Sequence, residues 1–378
     1  MKKTFLLISL TLFNIVASAQ TFTTIKQNPI TSVKDQNLSG TCWDYATLGF
    51  VESEILRTSG RTYDLCEMFV ANKDYMDNAT HHVRMHGFSQ ICEGGSADDV
   101  FEVIKTYGIC PEDAMPAPGS LVGDTLANFT EFMKELRPLV RYYGTGTNHS
   151  YPADTTGLAY WVRTEKGWKE AIQSVIDRYI GKCPETFTYD GNTYTPKTFA
   201  ATLGIDWNNY ISLTSFTHHP FYENFVLESP HKWRPRPSFN LPIDRLMTIL
   251  DDAIMKGYCV AWGGDVSGHY VQRDDGYYYP EGDFNQQTGV AKLPKGTTVT
   301  QIYRQAQWDS WQFTYDHVML IYGIAKGSDG QKYYMVKNSW GTQYGRNGIW
   351  YMSEDYIKLY TAYLFLCKDA VKKKMLKP

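Results

Sequence analysis

The chain reads as an α+β protein, helical in its first half and built on an antiparallel sheet or partial barrel in its C-terminal half. Three observations predict this. Apolar residues recur at helical spacing in most segments from residue 42 to residue 180 and again over 241–256. After residue 257 the pattern changes to short β-branched and aromatic runs separated by turn residues. Helices come before strands, with short connections between most of the strands, which is the order of a fold with segregated α and β parts.

The N-terminus, MKKTFLLISLTLFNIVASAQ, reads as an export signal. Lys2 and Lys3 form its positive start, Phe5 to Val16 its apolar run, and Ala17-Ser18-Ala19 a small-residue cleavage site. The run is too short and wrongly flanked to span a membrane. Residues 1–19 are therefore the signal and 20–378 the mature domain, about 359 residues, ample for a large core. No cysteine follows the cleavage site to carry a lipid, and no later stretch is apolar enough to cross a bilayer. The expected location is the periplasm or the exterior of a bacterium.

Residues 20–35 are a polar, β-leaning lead-in, too short for an inhibitory pro-segment. Residues 36–57, QNLSGTCWDYATLGFVESEILR, read as a polar loop entering a helix whose first turn carries Cys42. Trp43, Ala46, Phe50 and Ile55 fall at helical spacing and Leu48, Val51 and Leu56 widen the stripe, so the helix is buried on most of its circumference. A second helix is expected over 65–78. Cys92-Glu93-Gly94-Gly95 is a tight backbone stretch. Ser96 with Asp99 forms a capping box for a helix over 97–107, ended by Gly108 and Pro111.

Residues 112–235 are the least regular third, with helical patterns near 123–137 and 165–180 and a hairpin over 186–194 around Asp190-Gly191. Their aromatic content marks an insertion packed on the core. A helix over 241–256 follows, with Pro242 in its first turn and Leu246, Ile249, Leu250, Ala253 and Ile254 on its apolar face. Strands are expected over 258–266, 316–325, 332–340, 348–353 and 362–367.

Removing Lys2 and Lys3 takes the formal charge from −3 to −5, with no basic patch, so neither nucleic acid nor a membrane surface is an expected partner. Tyrosine is common at 28 and tryptophan at 10, which suits an aromatic-lined binding surface. Seven cysteines (42, 66, 92, 110, 183, 259 and 367) leave at least one free thiol, and Cys42 is the natural one. The other six pair in fifteen ways or not at all, and their spacings do not choose among these.

A cysteine in the first turn of a helix feels the positive end of the helix dipole, which favours the thiolate. A nucleophilic cysteine also needs a base, and the base needs a third group to orient it. His317 begins the apolar run HVMLIYGI and Asn338 ends another, VKN; on adjacent antiparallel strands the Asn338 amide would fix the tautomer and direction of the His317 ring. A neutral amide suits a thiolate–imidazolium pair, because sulfur already carries the negative charge. Gln36, one loop before Cys42, would pair its side-chain NH2 with the Cys42 N–H as an oxyanion hole, and Trp340 would cover the His317–Asn338 bond. Taken singly, these signals are weak: a lone cysteine on an apolar helix and a histidine at a strand start are more often structural. His81-His82 with His86 could suggest a metal, but the local sequence lacks Cys or acidic ligands at zinc spacing, so no metal and no cofactor is expected.

Together the residues are specific. Gln36-x5-Cys42-Trp43, Asp316-His317 and Asn338-Ser339-Trp340-Gly341, in this order, resemble the papain-like cysteine peptidases. The resemblance implies a two-lobed fold, helical first and β-barrel-like second. It implies Cys42 as nucleophile, His317 as acid and base, Asn338 as orienting residue and Gln36 as oxyanion donor. Cys92-Glu93-Gly94-Gly95 resembles the family's Cys-x-Gly-Gly segment, which implies substrate binding at Gly94 and Gly95. Ser39 stands where secreted relatives place a cysteine bridged to the one at position 92, so that bridge cannot form. Cys42 and His317 are 275 residues apart, against roughly 130 to 150 in minimal members.

These departures, with 240–244 (NLPID), 260–266 (VAWGGDV) and the run after Asn338, are similar to the bleomycin hydrolase/aminopeptidase C branch. That resemblance implies aminopeptidase action on peptides and a homo-oligomer, a hexamer. In the branch a C-terminal arm meets the substrate α-amino group. Here only seven residues, 372–378, follow the last strand region, a reach of about 25 Å at most. A short arm implies an open cleft, so an endopeptidase is the alternative, and an inactive binding or assembly module on the same fold is a further one.

Overall fold

The computed structural model describes residues 20–145, 164–266 and 288–378 apart from Lys295, with the backbone of 271–273, 276–278 and 284–285 between them. The expected signal, 1–19, and residues 146–163 of the irregular third lie outside the described residues.

The helices are α1 (Cys42–Ser59), α2 (Glu67–Arg84), α3 (Ala97–Tyr107), α4 (Thr130–Thr145), α5 (Glu165–Ile180), α6 (Pro196–Thr202), α7 (Ile243–Met255), α8 (Gln301–Asp309) and α9 (Glu354–Tyr360). The strands are β1 (Phe22–Gln27), β2 (Phe187–Tyr189), β3 (Asn192–Tyr194), β4 (Tyr210–Thr214), β5 (Asn224–Phe225), β6 (Ser238–Asn240), β7 (Val260–Gly264), β8 (Val271–Arg273), β9 (Gly276–Tyr278), β10 (Phe284–Asn285), β11 (Val290–Ala291), β12 (His317–Gly327), β13 (Lys332–Lys337), β14 (Ile349–Ser353) and β15 (Thr361–Cys367). Six helices, α1 to α6, precede most strands of the main sheet, while β1 comes before them and α7, α8 and α9 lie among its later strands.

The five expected strands pair antiparallel as β14-β13-β12-β7-β15, and the sheet extends beyond them. It runs β10-β11-β14-β13-β12-β7-β15-β4-β6-β5, an open order rather than a closed barrel. It is mixed, because β11 lies parallel to β14 and β4 parallel to β6. Both parallel pairs join strands separated by long connections, which parallel pairing requires. β4 and β5 come from the irregular third, so that region builds part of the main sheet as well as helices packed beside α2.

Local chemistry accounts for the elements that fell where expected. Ser96 N–H donates to Asp99 Oδ2 at 2.8 Å, closing the capping box of α3. Asp190 and Gly191 both have positive φ, 47° and 76°, the primed-turn geometry that joins β2 to β3. Two helices differ. α2 continues to Arg84. α4 begins at Thr130, seven residues late, and runs through Pro138. Phe132, Met133, Leu136 and Val140 are buried on one face of α4, and that burial outweighs the lost hydrogen bond at the proline.

Two features bring the ends of the chain together. α1 packs across β12 and β7, with Cys42 to Ile55 all buried. β12 is long enough to pair with β7 over His317 to Ile321 and with β1 over its far half. Beside it, the fully buried Arg304 of α8 donates to the carbonyls of Ser215, Leu359 and Thr361 and lies between the rings of Phe216 and Phe313, 4.7 and 4.8 Å from their centroids. Burial draws its pKa down to about 9. Arg304→Ala leaves three buried carbonyls without their donor; unfolding in guanidinium should show a loss of about 3 kcal/mol, and a loss under about 1 kcal/mol would refute this account of the α8 anchor.

Candidate active site

Cys42 opens α1 and is 8% exposed. The backbone N–H groups of Val318, the residue after His317, of Trp43 and of Cys42 itself act to lower the pKa of its thiol. The preceding loop is tightly tied: Asn37 N–H donates to Asp35 Oδ1 at 2.8 Å, Ser39 Oγ donates to the Gln36 carbonyl at 2.6 Å, and Thr41 O accepts from Asp44 N at 2.9 Å. Gln36 is buried. Its backbone N–H donates to Ser339 O at 2.8 Å, and its Oε1 accepts from Ser339 Oγ at 2.6 Å. That leaves its NH2 to donate to Ser39 O at 2.7 Å and, with the second hydrogen, elsewhere.

His317 starts β12 and Asn338 follows the last residue of β13. Asn338 Oδ1 lies 2.8 Å from His317 Nε2 and 2.8 Å from Ser339 N. A backbone N–H only donates, so the Ser339 contact assigns the oxygen to that side of the amide. His317 Nε2 therefore carries a proton and donates it, and Nδ1 is left as the ring's acceptor. The half-buried Trp340 ring lies 4.8 Å from the His317 ring, tilted by 38°.

Burial sets the electrostatics. It pushes the Cys42 thiol up to about 12, and Asp316 adds to that, against the three N–H groups around the sulfur. It draws His317 down to about 4, against the Asn338 bond. Either charge alone is disfavoured here. Moving one proton from sulfur to Nδ1 creates a compensated pair, which costs far less than an isolated buried charge.

Gly95 is buried beneath the Trp43 ring, 2.8 Å from where a Cβ would sit, so only glycine fits. Its carbonyl accepts from Tyr315 OH at 2.5 Å. Gly94 lies against His231. An open cleft of about 760 Å³ begins at Tyr315 and Asp316, beside His317, and is lined by 228–231 and 308–316. Its 228–231 wall is anchored nearby: Lys232 pairs with Asp98 of α3 at 3.1 Å, and Arg234 with Asp74 and Asp77 of α2 and Asp99 of α3 at 3.1 to 3.2 Å.

The structure thus brings together Gln36, Cys42, His317, Asn338 and Trp340, with Gly94 and Gly95 on the Trp43 side. Sequence reasoning singled out none of Ser339, Val318, Tyr315, His231 or Glu93 for a role at the site. Ser339 and Glu93 sit inside motifs already quoted; the others carry no local signal. All seven cysteines are free thiols, and Cys92 Sγ lies 3.5 Å from Gly94 O.

Among the described residues, one group has three potential metal ligands close together: His218, His219 and Glu228. Its chemistry does not suit a metal at His218 Nε2. Gln305 Oε1 accepts from Thr217 N at 2.7 Å, which turns Gln305 Nε2 toward His218 Nδ1 at 3.0 Å. A metal-bound imidazole donates from its other nitrogen, and here that nitrogen meets a donor. Both histidines instead bond to Glu228, at 3.3 and 2.8 Å.

Residues 65–378 match the Peptidase C1-like family, a range that holds His317 and Asn338 and begins after Gln36 and Cys42. The chain is 22% identical to aminopeptidase C of Listeria monocytogenes, over 91% of this chain and 82% of that one. It is 21% identical to aminopeptidase G of Lactobacillus delbrueckii subsp. lactis, over 88% and 80%. The crystal structure of PepW from Lactobacillus rhamnosis HN001 superposes with a TM-score of 0.72 at 18% identity, over 93% of this chain and 83% of that one.

The geometry makes one spectroscopic prediction. In Cys42→Ala, where no thiolate opposes the ring, burial keeps His317 neutral until pH falls toward about 4. Imidazole 15N spectra of that variant should show the Nε2–H tautomer at mildly acidic pH; an imidazolium signal near the ordinary pKa of about 6.5 would contradict the account.

Proposed function

Because the chain belongs to the Peptidase C1-like family, we propose that it hydrolyses peptide bonds with Cys42 as nucleophile, His317 as acid and base, Asn338 as orienting residue and Gln36 as oxyanion donor. It is a papain-like cysteine peptidase of the aminopeptidase C branch. The observation that carries the residue roles is the pair of 2.8 Å contacts at Asn338 Oδ1, which leaves His317 Nδ1 as an acceptor at the site where Cys42 faces Val318 N–H.

The steps follow from the groups in place. Cys42 gives its proton to His317 Nδ1, and the thiolate adds to the scissile carbonyl. The new oxyanion accepts from the Cys42 N–H and from the second hydrogen of Gln36 Nε2. His317 returns the proton to the leaving amine as the C–N bond breaks, leaving an acyl group on sulfur. Water then loses a proton to His317 and attacks the acyl carbon; the C–S bond breaks and the thiol is restored. Trp340 shields the His317–Asn338 bond from water.

Aminopeptidase action is the favoured mode, supported by the similarity to aminopeptidases C and G along most of the chain. One observation favours endopeptidase action instead. The C-terminal residues pack on α7, with Lys372 paired to Asp252 at 2.6 Å and Arg245 Nη1 donating to the carbonyls of Lys374 and Lys377 at 3.4 and 3.3 Å, while the cleft is walled by other segments. Export rests on the N-terminal pattern; among the described residues no helix is long and apolar enough to cross a membrane.

Cys42→Ala should abolish hydrolysis of peptide amides without loss of folding, and the wild type should cleave a free-amino fluorogenic peptide at least about tenfold faster than its N-blocked twin. Activity in Cys42→Ala would refute the roles; equal rates on the twins would turn the assignment to endopeptidase. N-terminal sequencing of protein from a bacterial envelope or culture fraction should begin at Gln20; an intact Met1 start confined to the cytoplasm would overturn export.

A further inference from the structure

Glu93 precedes the two glycines that border Trp43, and its side chain reaches the loop that leads into α1. Gly40 N–H donates to Glu93 Oε2 at 2.7 Å. The carbonyl of the same peptide group, Ser39 O, accepts from Gln36 Nε2 at 2.7 Å. One peptide plane thus has a carboxylate on its N–H and the Gln36 amide on its C=O. We propose that Glu93 is a positioning residue for Gln36, holding the 39–40 peptide so that the second hydrogen of Gln36 Nε2 points to the oxyanion, and coupling this donor to the Gly94–Gly95 segment. This rests on the roles proposed for Cys42 and Gln36.

Three further features support it. Gly40 has no side chain, and a Cβ there would lie 2.6 Å from Glu93 Cβ, so the approach of the two chains needs glycine at that point. The Glu93 backbone is itself fixed, because its carbonyl accepts from Trp43 Nε1 at 2.9 Å and from Tyr75 OH at 3.1 Å. Gln36 is held at its other end by Ser339 Oγ, so the Ser39 carbonyl is the contact that sets its remaining rotation. A hydrogen bond to a carboxylate is about twice as strong as a neutral one, and a donor and an acceptor on opposite ends of one peptide reinforce each other. The bond also does what a covalent link between the two loops would do, since Ser39 and Cys92 form none.

The test uses the full chain with Glu93→Ala, Glu93→Met and Glu93→Gln. Met keeps the volume and has no strong acceptor; Gln keeps an oxygen. Removing an oxyanion donor outright costs about 10²–10³ in kcat, so misdirecting one should cost Ala and Met about 10- to 100-fold, with KM changed less than about threefold. Gln should restore kcat to within about fivefold of wild type. Alkylation of Cys42 by iodoacetamide needs the thiolate and no oxyanion hole, so its rate should stay within about twofold in every variant.

A Met variant with kcat near wild type overturns the proposal. So does a parallel fall in alkylation and turnover, which would place Glu93 on the thiol or on the fold. Gln36→Ala separates the two levels. If it leaves kcat intact, the Gln36 role fails and the proposal with it. If it lowers kcat while Glu93→Met does not, only the coupling fails.

Discussion

The orientation of one amide governs the site. Asn338 Oδ1 accepts from Ser339 N–H and His317 Nε2–H at once, and the first of these contacts admits only one way round for the side chain. From that follow the tautomer of His317 and the availability of Nδ1 as an acceptor. Ser339 contributes a second constraint through its hydroxyl, which fixes Gln36 Oε1. Two successive residues just after β13 therefore fix both the His317 ring and the Gln36 side chain.

Cys42, His317 and Asn338 are all buried, which makes that geometry consequential. Burial opposes a charge on Cys42 and on His317 separately. The pair is tolerable only as a neutral couple or as a compensated thiolate–imidazolium, and the backbone N–H groups of Val318, Trp43 and Cys42 favour the second. The fold delivers these groups by packing α1 across β12, so that a helix N-terminus meets a strand start. Substrate binding at such a site also excludes water and so strengthens the polar contacts made to the reacting carbonyl.

The irregular third shapes what reaches this chemistry. It adds strands to the main sheet, and the segment after β5 forms one wall of the cleft, tied to α2 and α3 by Lys232 and Arg234. Residues 308–316, from the end of α8 onward, form the other wall, and His231 of the first wall lies against Gly94. The position of that wall therefore depends on ion pairs between segments remote in sequence.

Sequence by itself determined what depends on neighbours along the chain. The stripe of α1, the Ser96–Asp99 capping box, the Asp190-Gly191 turn and the places of β7, β12, β13, β14 and β15 follow from local sterics, turn chemistry and periodicity. The residue types in the motifs named Cys42, His317, Asn338 and Gln36 as candidates for the same reason. Tertiary structure decided the rest: the open mixed sheet, the passage of α4 through Pro138, the Ser339 hold on Gln36 and the Glu93 contact with Gly40. Each of these joins positions far apart or balances buried area against a local cost. No periodicity along the chain encodes that, because its cause lies in what packs against the segment, not in the segment itself.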